Sequence, residues 1–248
     1  MMYANVDGEE KVLPTPKQKG HCPLCGSQVL SKCGSVVAWH WAHQNMKDCD
    51  SWAENESEWH LGWKLGIEKK YTEVGFTDSS GERHRADISF PLIGHSDDAP
   101  VEHRLTIELQ HSSIPVEEIK QREAFYKHLV WVLDARDFYI SKRYSLKEGL
   151  YRFRWYYPRR TFVEAQPKRL YLDRGEGKML YVTGLSSLST GTYFNGGELS
   201  VEKFWEVQHK NRRVLNITPR SAIKPTVKPG ENLRSHFDAM FPELAARA

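Results

Sequence analysis

The chain has 248 residues, of which 40% are hydrophobic and 27% charged, the balance of a globular protein with one sizeable domain or two small ones. Its net charge of +3 is too mild to establish nucleic-acid binding, and no apolar run approaches the roughly 20 residues of a bilayer span, which excludes a helical membrane protein. The stretch Met1–Glu10 has neither the basic flank nor the apolar centre of a secretory signal, so a cytoplasmic location with no membrane partner is expected.

Residues 1–19 read as a loose N-terminal arm broken by Pro14 and Pro16. Residues 20–50 form a Cys/His module too small for an apolar core of its own. All four cysteines fall between positions 22 and 49, and because structural disulfides are rare in the cytosol this confinement favours a metal. Cys22-Pro23-Leu24-Cys25 has the spacing of a zinc knuckle, and His40-Trp41-Ala42-His43 and Cys49 follow it. Structural zinc takes four nitrogen or sulfur ligands in a tetrahedron. The expected set is Cys22, Cys25, His40 and His43, with Cys49 able to replace either histidine, His40 first. Cys33, in a hairpin between the clusters, is the weakest candidate. With all four positions filled by protein, the zinc would be structural, holding a small ribbon that touches DNA or braces the rest of the chain.

Residues 51–70 read as a helix with Trp52, Trp59, Trp63 and Ile67 on its apolar face. Glu56, His60 and Lys64 recur every four residues and would share one face of that helix. Residues 71–111 are strand-like, with a turn at Asp78-Ser79-Ser80-Gly81 and a polar loop from Gly94 to Pro100. Asp87 begins the strand Ile88-Ser89-Phe90. From Leu105 to Gln110, Leu105, Ile107 and Leu109 point one way and Thr106, Glu108 and Gln110 the other. A helix over 114–128, with Pro115 in its first turn and Glu117 and Glu118 near its positive end, leads to an apolar strand at Leu129–Leu133. Helix, strands, helix, strand is an α/β order.

Two acids on neighbouring strands, Asp87 and Glu108, could clasp one hard cation such as magnesium or manganese, with the Leu109 carbonyl as a further ligand. Glu56 could complete the shell or hold a second ion, and His60 and Lys64 could contact phosphate or position water. An ion held in this way activates water and neutralises phosphate, the core of a metal-dependent nuclease. Each piece alone has a blander reading: a solvated helix stripe, an Arg85–Asp87 salt bridge, an exposed acid in an alternating strand.

Residues 136–210 form an aromatic-rich extension. Segments 151–157, 161–172 and 178–183 suggest β structure, Ser186–Gly197 a loop, and 199–210 a short helix built on Val201, Phe204 and Trp205. Residues 211–248 read as a basic linker marked by Pro219, Pro225 and Pro229, then a short helix over 232–247. Between Tyr151 and Arg160, Arg152, Arg154, Arg159 and Arg160 alternate with five aromatic residues. From Lys210 to Arg234, seven bases that include Arg212 and Arg213 face one acid, Glu231. Basic side chains attract phosphate and aromatic faces stack on bases, so these arginines are the candidate DNA contacts.

Several of these residues together resemble the CoiA-like competence protein family, a branch of the PD-(D/E)XK nuclease superfamily. They are Cys22-Pro23-Leu24-Cys25, His40-Trp41-Ala42-His43, Glu56-Ser57 with His60 and Lys64, Arg85-Ala86-Asp87, Ile107-Glu108-Leu109-Gln110 with Ser112, Arg122 and Tyr126, and Val130-Trp131-Val132-Leu133. The resemblance covers residues 20–135. It implies an α/β fold in which a restriction-endonuclease-like mixed sheet flanked by helices, over 51–135, follows a zinc-ribbon-like module and precedes a β-rich C-terminal part. It also implies Asp87 and Glu108 as metal ligands. Gln110 stands where the superfamily motif usually has lysine; either Gln110 orients water or Lys64 or Lys120 supplies the missing cation. Arg122 and Tyr126 either hold the strand–helix junction or contact phosphate. The expected activity is a metal-dependent DNA endonuclease or nickase, on single- or double-stranded DNA, in DNA uptake and recombination or in phage defence, with a recombination or defence protein as a further partner. The alternatives are a catalytically degenerate DNA-binding protein of the same fold and a zinc-stabilised protein-interaction module.

Overall fold

The structure, a computed structural model, describes residues 1–35, 38–44, 49–52 and 56–211. The basic linker and the helix expected over 232–247 lie outside the described residues. The chain divides into two compact units, with the boundary between Ile88 and Ser89.

The first unit opens with five short strands: β1 (Ala4–Val6), β2 (Glu9–Val12), β3 (Lys19–His21), β4 (Gln28–Lys32) and β5 (His40–His43). They form one sheet in the order β2-β1-β3-β4-β5, with every pairing antiparallel. The expected loose arm is therefore part of a sheet. Met1, Ala4 and Val6 pack with Cys22, Val29 and Trp41, and Trp41 donates its indole N–H to the Val12 carbonyl at 2.9 Å. The Cys/His module thus has an apolar core after all, because the N-terminal strands supply half of it.

The helix expected over 51–70 is shorter. Among the described residues α1 spans Glu58–Lys64. Ser57 caps its N-terminus by accepting from the His60 amide at 3.3 Å, and the chain turns away at Gly66, whose φ of +90° a side chain would resist. A single 3-10 turn at Lys69–Tyr71 leads into β6 (Thr72–Thr77), which pairs antiparallel with β7 (Arg83–Pro91) through the Asp78–Gly81 turn. The unit boundary falls within β7.

In the second unit, β8 (Arg104–Gln110), α2 (Val116–Phe125) and β9 (His128–Asp134) make a parallel crossover. Parallel neighbours need such a connection and cover the sheet on both faces, and β8 is accordingly buried at all seven positions. Next come β10 (Ile140–Lys147), β11 (Leu150–Trp155), α3 (Arg160–Ala165), β12 (Leu170–Gly175), β13 (Lys178–Leu188), β14 (Gly191–Ser200) and α4 (Val201–Asn211). The strands order as β10-β11-β14-β13-β12-β9-β8 in a large mixed sheet, parallel at β12-β9-β8 and antiparallel elsewhere. Its core includes Trp131, Trp155, Phe162, Phe194 and Phe204, all nearly inaccessible, with Trp131 meeting Phe162 edge-on at 5.2 Å.

Two expectations for this region fail. The stretch 161–172 is half helix, since α3 ends only where Gln166 takes the left-handed conformation at φ +52°. The supposed loop Ser186–Gly197 is instead the long β13–β14 hairpin. Its glycines serve close approach: a Cβ on Gly196 would lie 1.9 Å from the Tyr181 carbonyl oxygen. Gly196→Ala should therefore lower stability by about 1–3 kcal/mol, read as an earlier denaturant midpoint at unchanged slope.

Candidate functional site

The knuckle is built by a tight turn between β3 and β4. The Cys22 amide donates to the Ser27 carbonyl at 2.8 Å, and the Gly26 amide to the Cys22 carbonyl at 2.9 Å, with Gly26 at φ +72°. This turn aims both thiols at β5. Cys22, Cys25, His43 and Cys49 bring their ligand atoms within 4.8 Å of one another. Cys22 Sγ lies 3.7 Å from Cys49 Sγ, and Cys25 Sγ 3.4 Å from His43 Nε2. A tetrahedron with zinc–sulfur bonds of about 2.3 Å and zinc–nitrogen bonds of about 2.05 Å gives sulfur–sulfur edges near 3.8 Å and sulfur–nitrogen edges near 3.6 Å. The cluster therefore has the shape and the donors to hold a metal such as zinc. A hydrogen bond from Cys49, opposed by burial and aided by backbone amides and Arg85, pulls the Cys22 thiol down to about 4, the direction that favours a metal-binding thiolate.

His40 is not in this group, which corrects the leading ligand set in favour of Cys49. His40 and His43 are three positions apart on β5, and an odd offset places two side chains on opposite faces of a strand. His40 instead places Nδ1 2.7 Å from the Ala38 carbonyl.

The residue after Cys49 ties the cluster to the strand that carries Arg85-Ala86-Asp87. Asp50 receives the Arg85 amide at 3.1 Å and lies 3.0 Å from His84 Nδ1, while Trp52 stacks on the His84 ring. Leu24 of the knuckle packs on β6, where a Cβ on Gly75 would meet its Cδ1 at 2.9 Å. The Cys3His cluster thus braces the β6–β7 hairpin within the first unit.

On that hairpin lies a buried charge cluster. Lys64 Nζ is 2.6 Å from Glu56, 3.0 Å from Glu73 and 3.5 Å from Asp87. Glu56 precedes α1, so it does not share a helical face with His60 and Lys64 as expected, yet it still reaches Lys64. The supposedly solvated stripe is buried: Glu56 at 9%, His60 at 4% and Lys64 at 1% exposure. His60 Nδ1 sits 2.7 Å from the Ser57 hydroxyl. Burial would disfavour charge on Lys64, but Glu56, Glu73 and Asp87 outweigh it and hold the ammonium above its ordinary range.

Glu73 is a member the sequence reading missed. It is the second residue of β6, in the left-handed region at φ +48°, and its carboxylate receives the Met2 and Tyr3 amides at 2.7 and 3.1 Å. Burial opposes its ionisation, yet Lys64, Arg85 and the Met2 amide hold it well below the usual carboxylate range. No local signal marks it, because the two amides it receives lie about seventy residues away in sequence.

In the second unit every polar residue of β8 is buried rather than solvated. Thr106 lies 3.3 Å from the Ser89 hydroxyl, and Gln110 donates to the Ser112 carbonyl at 3.1 Å. Glu108 is 3% exposed and receives Arg122 Nη1 at 2.7 Å. Arg122 also donates from Nε to Glu118 at 3.0 Å, and Tyr126 is buried in the core. These contacts give Arg122 a bracing role at the strand–helix junction.

Of the candidate DNA contacts, Arg152 and Arg154 share one face of β11. Arg159 donates to the His111 carbonyl and lies over the Phe138 ring at 5.4 Å, and Arg160 opens α3. Arg212 and Arg213 lie outside the described residues. Among the described residues no helix is long and apolar enough to cross a membrane.

Residues 8–51 match the family model described as Competence protein CoiA, N-terminal domain. The match spans β2 to β5, the knuckle, His43 and Cys49, and it supports a CoiA-like family for the chain. Neither the curated proteins nor the solved structures include a significant match.

Proposed function

We propose that the chain is a metal-dependent DNA endonuclease or nickase of the PD-(D/E)XK kind, with a restriction-endonuclease-like core, acting in a competence-related handling of DNA. The match to a competence-protein domain supports the setting. One observation carries the chemistry: Glu56, Glu73 and Asp87 gather within 3.5 Å of a single buried ammonium. With Arg85 and the Met1 ammonium counted, the latter 3.4 Å from Glu56, the three acids meet three bases. Burying charge costs several kcal/mol per ion unless it is compensated. Carboxylate oxygens suit a hard divalent cation, and Asp87, at 21% side-chain exposure against 4% and 5% for the other two acids, is the one solvent reaches most.

Bound magnesium or manganese supplies Lewis acidity toward phosphate and lowers the pKa of water. Asp87 would be one ligand, and the sequence motif adds Glu108 as another. Lys64, kept protonated by its three acids, holds positive charge beside Asp87 and stands in for the motif lysine that Gln110 replaces. His60, Glu56 and Glu73 fix that lysine and its helix.

The test is supercoiled-plasmid cleavage in magnesium or manganese. Asp87→Ala and Glu108→Ala should each slow nicking at least about a hundredfold, no less than losing an outer-shell partner of a metal costs. Cleavage that persists in both variants would rule the site out. The Arg122 pair on Glu108 favours a second reading, a catalytically degenerate DNA-binding protein. DNA binding without cleavage in either metal would select it.

A further inference from the structure

We infer that the outer face of β10, β11 and β14 is a stacking platform for single-stranded DNA. The inference rests on the proposed DNA-cleaving function and adds the form of DNA recognised.

Cross-strand partners share a face. Arg154 lies opposite Ser141 on one side and Tyr193 on the other, and Arg152 opposite Tyr144 and Asn195. Tyr156 follows on the same face by alternation, its amide bonded to the Tyr139 carbonyl at 3.0 Å and its ring 4.4 Å from that of Tyr139. Tyr139, Tyr144, Tyr156, Tyr193, Arg152 and Arg154 therefore form one surface. Arg143 adds its charge beside Tyr156. No acid occupies any of these register positions.

Guanidinium groups lie over the rings: Arg154 over Tyr156 at 4.6 Å, and Arg152 over Tyr193 at 5.1 Å. Arg152 is further fixed by Asn195 Oδ1 at 2.8 Å and the Ser186 hydroxyl at 2.7 Å. Tyr139 and Tyr144 are 61% and 59% exposed, an unusual exposure for large aromatic side chains. Rings open to solvent beside positive charge, with no acid among them, complement a strand that offers bases and phosphates together. A duplex hides its base faces and has no use for exposed rings.

The test measures fluorescence anisotropy of labelled dT20 with the full chain, in calcium buffer without magnesium or manganese. Tyr139→Ala, Tyr144→Ala and Arg154→Ala should each weaken binding about tenfold, Tyr144→Trp should retain it, and a 20-base-pair duplex should bind at least about tenfold more weakly than dT20. Circular dichroism of each variant checks that the sheet persists. Folded alanine variants that bind like wild type, tighter binding of the duplex, or tighter binding of rU20 would each overturn the platform. Wild type that binds dT20 by this face yet cuts nothing in magnesium or manganese would sink the nuclease reading and leave the platform standing.

Discussion

Cys49→Ser abolishes zinc binding while His40→Ala leaves one zinc per chain. This is the expected outcome of metal analysis on the purified variants, and it follows from strand parity. His43 faces the knuckle and His40 does not, so the fourth ligand must come from the chain beyond β5. Cys22→Ser should behave like Cys49→Ser. Structural zinc contributes about 10–16 kcal/mol in isolated zinc-finger peptides, where metal binding and folding are one event. Here Met1, Ala4, Val6, Val29 and Trp41 already give the module a core, so losing a ligand should weaken it rather than abolish it. A loss of even about 4 kcal/mol would lower the first unfolding midpoint by more than about 10 °C, given roughly 4–8 °C per kcal/mol for a unit of this size. The effect should spread to the β6–β7 hairpin, because Asp50 ties the cluster to His84 and Arg85. Zinc retained in Cys49→Ser but lost in His40→Ala would refute the ligand assignment.

How much of this was legible in the sequence depended on the range of the contacts. The Cys-x-x-Cys spacing announced the knuckle, since the turn that makes it is local. The fourth ligand was ambiguous only while β5 was not recognised as a strand; the odd separation of His40 and His43 would have decided it. Glu56, His60 and Lys64 have the spacing of one helical face, but α1 begins only at Glu58. Glu56 instead reaches Lys64 from the chain before the helix. Glu73 was invisible because its role depends on two amides from the other end of the first unit. In the second unit, the alternation of β8 gave the strand but suggested a solvated polar face. Parallel pairing and Arg122 bury that face instead. The β13–β14 hairpin was hidden by glycines and hydroxyl residues that resemble a loop, although Gly196 and Gly197 are there to let strands meet closely.

Lys64→Met should be the most damaging single substitution in the charge cluster. It preserves the bulk and helix preference of the side chain but leaves Glu56, Glu73 and Asp87 without their shared ammonium. Breaking a buried ion pair from one side costs about 3–5 kcal/mol, because the remaining charge stays buried and unpaired. Denaturant unfolding should show that loss at neutral pH, and Glu73→Gln in the same chain should restore part of it, since contacting groups do not contribute additively. The pH dependence gives the sharper sign. In the wild type the folded-state pKa of Glu73 lies below its unfolded value. Its contribution is therefore present above the ordinary carboxylate range and is lost as pH falls through that range toward the lower folded pKa. Without Lys64, Arg85 and the Met2 amide still favour the ionised Glu73 but burial and mutual repulsion oppose it more strongly, so the variant has less of this stability to lose as pH falls. The stability gap between wild type and Lys64→Met should accordingly shrink from pH 7 to pH 4. A gap that stays constant across that interval, or a variant as stable as wild type at neutral pH, would mean that the ammonium does not hold these acids together.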